Sequence, residues 1–436
     1  RNFFALNFDL IPRNGMTIID AYRRLRCGCY RLVRLGVSPT VYRAPKSGVA
    51  EAIRHFTRPF GSVTSILPVY DEVKNYFHSI FKVSHPFHFN DRVHDLAKST
   101  SPGLYYKRLG YATKTEVLAD NKALNRLRTY CHLIKTGRLK NARPLTELVA
   151  ADSKFDTTKQ RMKSRVVWVY PIEVCAIEQM FYAPFNDQLP SDWVPSPETH
   201  HSRFCGFNSL SFDFTNFDRS IHRTLIYAAF SILRSLLDFS HYQGGNIPYK
   251  PTNLSRLWGF IVDYFINTAF TDGMYVYRKH HGVPSGSLFT NLIDTIISRL
   301  IVTFLHRVAG CTATVCTYGD DCHSKDCTCS KDHLVSGAFS GFGVALKIEV
   351  PNEHGCLTYC KAECHRGVPF HTGLWYRNIL NCCPPSIKGL VAYCMLFSQP
   401  TKDQAADLLS KARLEYHVHP RLMIRIRRML EYQLTD

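Results

Sequence analysis

The most regular pattern of hydrophobic and polar residues lies beyond residue 208. Residues 209–214 alternate polar and apolar side chains, which predicts a half-buried strand. Apolar residues then recur at helical intervals over 221–236, so an amphipathic helix should follow a short turn. A long helix is predicted over 288–308 and a strand over 312–318, which the tight turn Gly319-Asp320-Asp321 would end.

The patterns in the rest of the chain are less regular. The spacing of apolar residues predicts a helix over 115–139 and another over 257–270. Val166–Tyr170 is apolar and β-branched, so we predict a strand there. A basic stretch from Lys402 to the end also has helical spacing, and no internal repeat is evident.

Composition and charge exclude several classes of protein. Of 436 residues, 45% are hydrophobic and 20% are charged, which is typical of a globular chain and not of a disordered tail. No apolar stretch approaches the ~20 residues that a membrane span requires. The net charge of +19 argues for a polyanionic partner, and residues 101–170 alone contain 15 Lys and Arg against 5 Asp and Glu.

Three carboxylates stand at the ends of predicted strands. Asp213 lies between Phe212 and Phe214, and Asp320 and Asp321 follow the next predicted strand at a turn. A carboxylate at the end of a buried strand needs a counter-charge, either a basic side chain or a hard metal ion. If the two strand ends are neighbours, these residues could hold two Mg²⁺ or Mn²⁺ ions for in-line phosphoryl transfer. The alternative is that Gly-Asp-Asp is only a favourable turn sequence.

Five segments in the chain resemble the motifs of viral RNA-dependent RNA polymerases. They are Thr100-Ser-Pro-Gly-Leu104 for motif G, Lys163-Ser-Arg-Val-Val-Trp168 for motif F, Asp213-Phe-Thr-Asn-Phe-Asp218 for motif A, Ser285-Gly-Ser-Leu-Phe-Thr290 for motif B, and Tyr318-Gly-Asp-Asp321 for motif C. Motifs A, B and C occur in the family's order and at spacings that it allows. Residues 282–294 look most like the partitivirus and picobirnavirus group of double-stranded RNA viruses.

The resemblance implies an α+β fold of the right-hand polymerase type. It divides the chain into fingers with an N-terminal extension (1–207), palm with motif A (208–221), a fingers insertion (222–279), palm with motifs B to E (280–378), and a small, mostly helical thumb (379–436). Because the sequence begins with Arg1 and leaves few residues for the thumb, we expect it to be part of a longer protein.

The resemblance also assigns roles to individual residues. Catalysis and metal binding fall to Asp213, Asp320 and Asp321, with Lys347 as the candidate general acid and Lys361 as a second candidate. Nucleotide binding falls to Arg161, Lys163, Arg165, Asp218, Ser285, Gly286, Thr290 and Asp294. Template binding falls to Thr100, Ser101 and Gly103.

Elementary chemistry gives reasons and alternatives for some of these roles. Asp218 could accept a hydrogen bond from a ribose 2′-OH, and Asp is also a preferred helix N-cap. Asp294 stands where the family often has Asn, and a carboxylate can accept but not donate. The three basic residues of 161–165 are spaced by two, so an extended segment would turn them towards one triphosphate; a solvated charged edge is the alternative.

Sixteen cysteines in a large chain without a secretory signal indicate a reducing compartment and mostly free thiols. Structural zinc is the less favoured alternative. Cys356 and Cys360, with His354 or Cys364, have a plausible zinc spacing. The pair Cys327 and Cys329 is a poor match to common zinc folds.

The resemblance therefore predicts an RNA-directed RNA polymerase that adds ribonucleoside monophosphates to an RNA 3′-OH and releases pyrophosphate. Its expected partners are RNA template and product, ribonucleoside triphosphates and, as a further candidate, a capsid protein. The expected location is the host cytoplasm, within or beside a viral particle. One alternative is a reverse transcriptase, which Asp218 argues against. The other is a non-catalytic RNA-binding or packaging relative, which the basic N-terminal part fits equally well.

Overall fold

The computed structural model of the chain describes residues 42–43, 46–139, 143–156, 161–194, 208–351, 355, 357–359, 362–365, 368–371 and 410. The basic helix predicted from Lys402 and the thumb predicted for 379–436 lie outside these residues, apart from residue 410. Residues 1–41 also lie outside the described residues.

Helices and strands alternate irregularly along this part of the chain. The helices are α1 Lys46–Thr57, α2 Leu67–Ile80, α3 Phe89–Arg92, α4 Leu104–Arg108, α5 Lys114–Ala119, α6 Asn121–Lys135, α7 Ile172–Asn186, α8 Phe217–Ser220, α9 Arg223–Arg234, α10 Thr252–Ile266, α11 Thr290–Val308 and α12 Lys331–Phe342. A 3₁₀ turn covers Val93–Leu96. The strands are β1 Tyr42–Arg43, β2 Thr146–Asp156, β3 Arg161–Val169, β4 Leu210–Thr215, β5 Ala269–Thr271, β6 Val276–Arg278, β7 Thr314–Tyr318, β8 Asp321–Lys325, β9 Ala345–Glu349, β10 Thr358–Tyr359, β11 Ala362–His365 and β12 Val368–His371.

A four-stranded antiparallel sheet lies in the C-terminal half of the described chain. Its strand order is β7-β8-β4-β9. In β4 the side chains of Phe212 and Phe214 are buried and that of Asp213 is exposed, as alternation along a strand requires. Helix α11 packs against β7 and is buried over most of its length, so it supports the sheet from within the core.

A second sheet carries the predicted motif F. Strands β2 and β3 form a long antiparallel pair with an irregularity between Ala151 and Lys154, and β5 pairs with β2 in parallel. Helix α7 follows β3 and is buried almost throughout, including its two glutamates Glu173 and Glu178. A continuous hydrophobic core joins this region to the four-stranded sheet.

The structure confirms the regular part of the sequence pattern. Strand β4, helix α9, helix α11 and strand β7 match the elements predicted for 209–214, 221–236, 288–308 and 312–318. Tyr318 pairs with Asp321, so Gly319 and Asp320 form the two-residue turn that was predicted. None of the described helices is both long enough and apolar enough to cross a membrane.

Two helix predictions are wrong in part. The helix predicted over 115–139 is two helices, α5 and α6, which separate at Asp120. The Asp120 carboxylate accepts hydrogen bonds from the backbone N–H groups of Lys122 and Ala123, and so starts a new helix. The helix predicted over 257–270 ends at Ile266, and Ala269–Thr271 is instead strand β5.

Candidate active site

The predicted catalytic carboxylates meet at one end of the four-stranded sheet. Asp213 of β4 is directly opposite Asp321 of β8 in the strand register. Opposed residues of antiparallel strands have Cα atoms only about 4.5 or 5.5 Å apart and present their side chains to the same face. Asp320, which is exposed, precedes Asp321 in the turn. The structure therefore brings together the three carboxylates that the sequence predicted.

Lys347 lies on the other side of the same aspartate. It occupies β9 and is paired in register with Asp213, so Asp213 has Asp321 on one neighbouring strand and Lys347 on the other. The side chain of Lys347 is exposed. An exposed ammonium group beside the carboxylates can meet a negatively charged group that approaches this face. Lys361, the second candidate, lies outside the described residues.

Helix α11 fixes the turn that carries Asp320. The backbone N–H of Gly319 donates to Thr295 Oγ1 at 2.8 Å, and Ser298 Oγ donates to the carbonyl oxygen of Gly319 at 2.8 Å. Thr317 Oγ1 also donates to the carbonyl of Thr295 at 3.1 Å. Gly319 has a φ of 63°, which favours glycine. Sequence reasoning missed Thr295 and Ser298, although both are buried polar residues on a helix next to motif C.

Asp294 belongs to the same group of carboxylates. Its side chain is buried, and burial raises its pKa well above the usual value, with further contributions from the charges of Asp218 and Asp320. This electrostatic coupling shows that Asp294 lies near two of the residues predicted for catalysis and nucleotide binding. Its role towards a sugar hydroxyl stays a prediction.

Asp218 links motif A to motif B through its backbone. Its carbonyl oxygen accepts a hydrogen bond from the N–H of Val283 at 2.7 Å. The N-cap of α8 is Asn216, with a φ of 56°, so the interpretation of Asp218 as a helix N-cap is wrong. The turn needs a left-handed residue before Phe217, and Asn adopts that conformation more readily than most residues.

The motif B loop packs tightly against the motif F strand. A Cβ atom on Gly286 would lie 2.1 Å from the carbonyl oxygen of Trp168, so only glycine fits between the two backbones. Ser285 beside it is exposed. Thr290 begins α11, and its Oγ1 donates to the carbonyl of Pro284 at 2.8 Å, which fixes the loop to the helix.

A buried glutamate that sequence reasoning missed fixes the motif B loop through hydrogen bonds. Glu178 of α7 accepts hydrogen bonds from Ser287 Oγ at 2.6 Å and from the N–H of Leu288 at 2.9 Å. Burial raises the pKa of Glu178 to about 7, because the charged form loses its hydration. The available signal was the presence of two glutamates, Glu173 and Glu178, in a largely apolar helical stretch.

The predicted template turn and triphosphate strand adjoin each other. Gly103 has a φ of 97°, and a Cβ atom there would lie 2.8 Å from Cα of Pro171, just after β3. Ser101 Oγ accepts from the N–H of Gly103 at 3.3 Å, and the carbonyl of Thr100 accepts from the N–H of Lys114 at 2.9 Å. The predicted triphosphate residues occupy alternate positions of β3, and their side chains lie outside what the structure describes; they are Arg161, Lys163 and Arg165.

An antiparallel sheet with paired carboxylates, next to a glycine-containing loop and a strand with alternating basic residues, is the arrangement of a right-hand polymerase. A family model described as viral RNA-dependent RNA polymerase matches residues 62–327, which is more than half of the chain. The chain therefore belongs to the viral RNA-dependent RNA polymerase family.

Individual relatives agree with this assignment. The RNA-directed RNA polymerase of Cryptosporidium parvum virus 1 (strain KSU-1) is 29% identical over 154 residues, which cover 32% of this chain and 26% of that relative. The chain thus spans about a quarter of the curated relative that it matches. The crystal structure of the RNA-dependent RNA polymerase of a human picobirnavirus has a TM-score of 0.61 at 14% identity, covering 91% of this chain and 82% of that one.

At this identity, the likeness to the solved structure shows a shared fold. The α+β right-hand fold and the resemblance to polymerases of double-stranded RNA viruses, both predicted from sequence, are confirmed. The residue boundaries of fingers, palm and thumb stay a prediction.

Proposed function

We propose that the protein catalyses template-directed RNA synthesis, adding a ribonucleoside monophosphate to an RNA 3′-OH with release of pyrophosphate. The observation that carries the proposal is the register of Asp213 opposite Asp321, with Asp320 in the adjoining turn. Like charges directly opposite each other destabilise a sheet. Two opposed carboxylates at the end of the sheet, with a third in the adjoining turn, therefore support a cationic ligand there.

The chemistry of these donors fits Mg²⁺ or Mn²⁺. Hard divalent cations prefer carboxylate oxygens, and Asp213, Asp320 and Asp321 supply only such ligands. When bound, two ions would polarise the attacking hydroxyl and stabilise the charge on the leaving pyrophosphate. Lys347 is exposed and pairs in register with Asp213, and its ammonium group would neutralise the pyrophosphate and donate a proton to it.

The other motif residues would position the substrates. Basic residues at alternate positions of β3 would bind the triphosphate of the incoming nucleotide. The ribose and the base pair would be recognised by the remaining motif A and motif B residues: Asp218, Ser285, Gly286, Thr290 and Asp294. Positioning by several fixed groups can remove a large part of the barrier to reaction. The turn of Thr100, Ser101 and Gly103 would guide the template strand.

Primer extension tests the proposal directly. An RNA primer annealed to an RNA template should be extended with ribonucleotides in Mg²⁺ or Mn²⁺, and Asp213→Asn should reduce the rate by about 10³-fold or more. Asp326→Asn is a matched control, because Asp326 is exposed just after β8 and its φ of 60° also suits Asn. Extension by Asp213→Asn at the wild-type rate would refute the metal site.

The same assay separates the alternatives. A preference for deoxyribonucleotides would indicate a reverse transcriptase. Salt-sensitive RNA binding without extension by the wild type would favour a non-catalytic packaging relative. RNA and ribonucleoside triphosphates are the proposed partners, and a capsid protein and a cytoplasmic viral particle form the proposed setting. Co-sedimentation of the protein with purified particles would test that setting.

A further inference from the structure

Four side chains with metal-binding atoms converge at the end of the β7–β8 hairpin that is remote from Asp320. They are His306 near the end of α11, Cys311 before β7, and Cys327 and Cys329 after β8. The ligand atoms of all four lie within 4.8 Å of one another. His306 Nδ1 is 3.4 Å from Cys329 Sγ and 3.8 Å from Cys327 Sγ.

The two distances from His306 are close to those of a tetrahedral zinc site. With Zn–S bonds of about 2.3 Å and Zn–N bonds of about 2.0–2.1 Å, neighbouring ligand atoms lie about 3.6–3.8 Å apart. Three thiolates and one imidazole make up a common closed set for structural zinc. The soft sulfur ligands argue against Mg²⁺ or Ca²⁺ at this place.

The surrounding structure holds the four ligands in place. His306 and Cys311 are buried, and the other two cysteines are half-buried. The N–H of Thr328 donates to Cys311 Sγ at 3.4 Å, which favours the thiolate that a metal requires. The N–H of Cys327 donates to the carbonyl of Asn208 at 2.8 Å, so the loop is also attached to the start of β4.

We propose that His306, Cys311, Cys327 and Cys329 bind one structural zinc ion, which closes the open end of the hairpin whose turn carries Asp320. The ion would join the end of α11 to the segments on both sides of the hairpin. This set differs from the one that the sequence indicated. Cys356, Cys360 and His354 lie outside the described residues, so that alternative stays untested. The pair Cys327 and Cys329, a poor match by spacing alone, gains its partners from the fold.

Metal analysis of the full chain, purified under reducing conditions without chelators, is the first test. We expect about one zinc per chain in the wild type and less than about a tenth in Cys329→Ser. Cys316→Ser is the matched control, because Cys316 lies on β7, is half-buried and is outside the cluster; it should keep the zinc. Wild-type protein with less than about a tenth of an equivalent would overturn the proposal. So would equal zinc in the two variants.

A second test needs only the wild type, and so holds even if a variant fails to fold. Zinc would be removed with phenanthroline in Mg²⁺ buffer, which leaves the proposed carboxylate site supplied. Alkylation followed by peptide mass spectrometry should show Cys311, Cys327 and Cys329 protected before chelation and reactive after it. Replacement with Co²⁺ should give the absorption of a tetrahedral thiolate complex. Equal reactivity with and without chelator, or recovery of a disulfide among these cysteines, would contradict the site.

Discussion

The two ends of the β7–β8 hairpin have opposite chemistry. At the turn, Asp320 is exposed and Asp321 faces Asp213 across the sheet, so this end offers oxygen ligands to solvent. At the open end, His306 and Cys311 are buried beside two half-buried cysteines, so that end offers nitrogen and sulfur within the protein. The hairpin strands between them are only five residues long each, about 17 Å.

The difference indicates that the two ends of this hairpin suit metal ions with different roles. Hard, exposed ligands suit cations that arrive with a nucleotide and leave with pyrophosphate. A closed set of sulfur and nitrogen ligands suits an ion that stays and stabilises the fold. Helix α11 contacts both ends, through Thr295 and Ser298 at the turn and through His306 at the open end. The carboxylates can therefore be exposed while their backbone is held rigidly.

We call the end with Asp213, Asp320 and Asp321 the oxygen end, and the end with His306, Cys311, Cys327 and Cys329 the sulfur end. The largest loss of primer extension should come from removing a charge at the oxygen end. Asp320→Asn should reduce primer extension by about 10³-fold or more, because a proposed metal ligand is lost. Thermal stability should stay the same or rise slightly, since one of several neighbouring negative charges is removed. Zinc content should not change. The control Asp326→Asn, near the sulfur end, should extend primers normally. Extension by Asp320→Asn within tenfold of wild type would contradict a catalytic role of the oxygen end.

The sulfur end should show the reverse profile. Cys329→Ser should lower the free energy of unfolding by about 3 kcal/mol or more, a shift of about 3 °C in the thermal midpoint for a chain of this size. Phenanthroline should destabilise the wild type to a similar extent and leave the variant unchanged. Extension by the folded variant at low temperature should remain within a few-fold of wild type. A thermal midpoint equal to that of Cys316→Ser would show that the cluster does not stabilise the hairpin.

The oxygen end was predictable from sequence and the sulfur end was not. Asp213, Asp320 and Asp321 stand at the ends of strands with clear alternation, and the motifs place them in order. His306 meets Cys327 across 21 residues, and only after α11 has packed beside the hairpin. Glu178 meets Ser287 across 109 residues for the same reason. Local patterns fix elements and turns, whereas contacts between distant polar residues depend on packing that a single sequence does not display.

A smaller loss of primer extension is expected from a substitution in helix α11, which contacts both ends of the hairpin. Thr295→Val keeps the shape of the side chain but leaves the N–H of Gly319 without its acceptor, which should cost about 1–3 kcal/mol. Because Gly319 forms the turn before Asp320, extension should fall by about tenfold while zinc is retained. Thr303→Val, at a buried position about two turns further along α11, is the control. Equal extension by the two variants would show that the turn does not depend on this bond.

The smallest effect should be a change in the pH dependence of thermal stability, caused by the buried Asp294 of α11. Burial, and then the charges of Asp218 and Asp320, raise the pKa of Asp294 well above its usual value. The stability that its protonated form contributes is complete below the unfolded pKa and is lost as pH rises through the raised, folded pKa. Asn cannot ionise, so Asp294→Asn should gain thermal stability relative to wild type from neutral to mildly alkaline Mg²⁺-free buffer. Asp320→Asn should weaken the pH dependence of thermal stability in the same series, because it removes one of the charges that raise the pKa of Asp294. Thermal midpoints of wild type and Asp294→Asn that change with pH in parallel would exclude Asp294 as the titrating group.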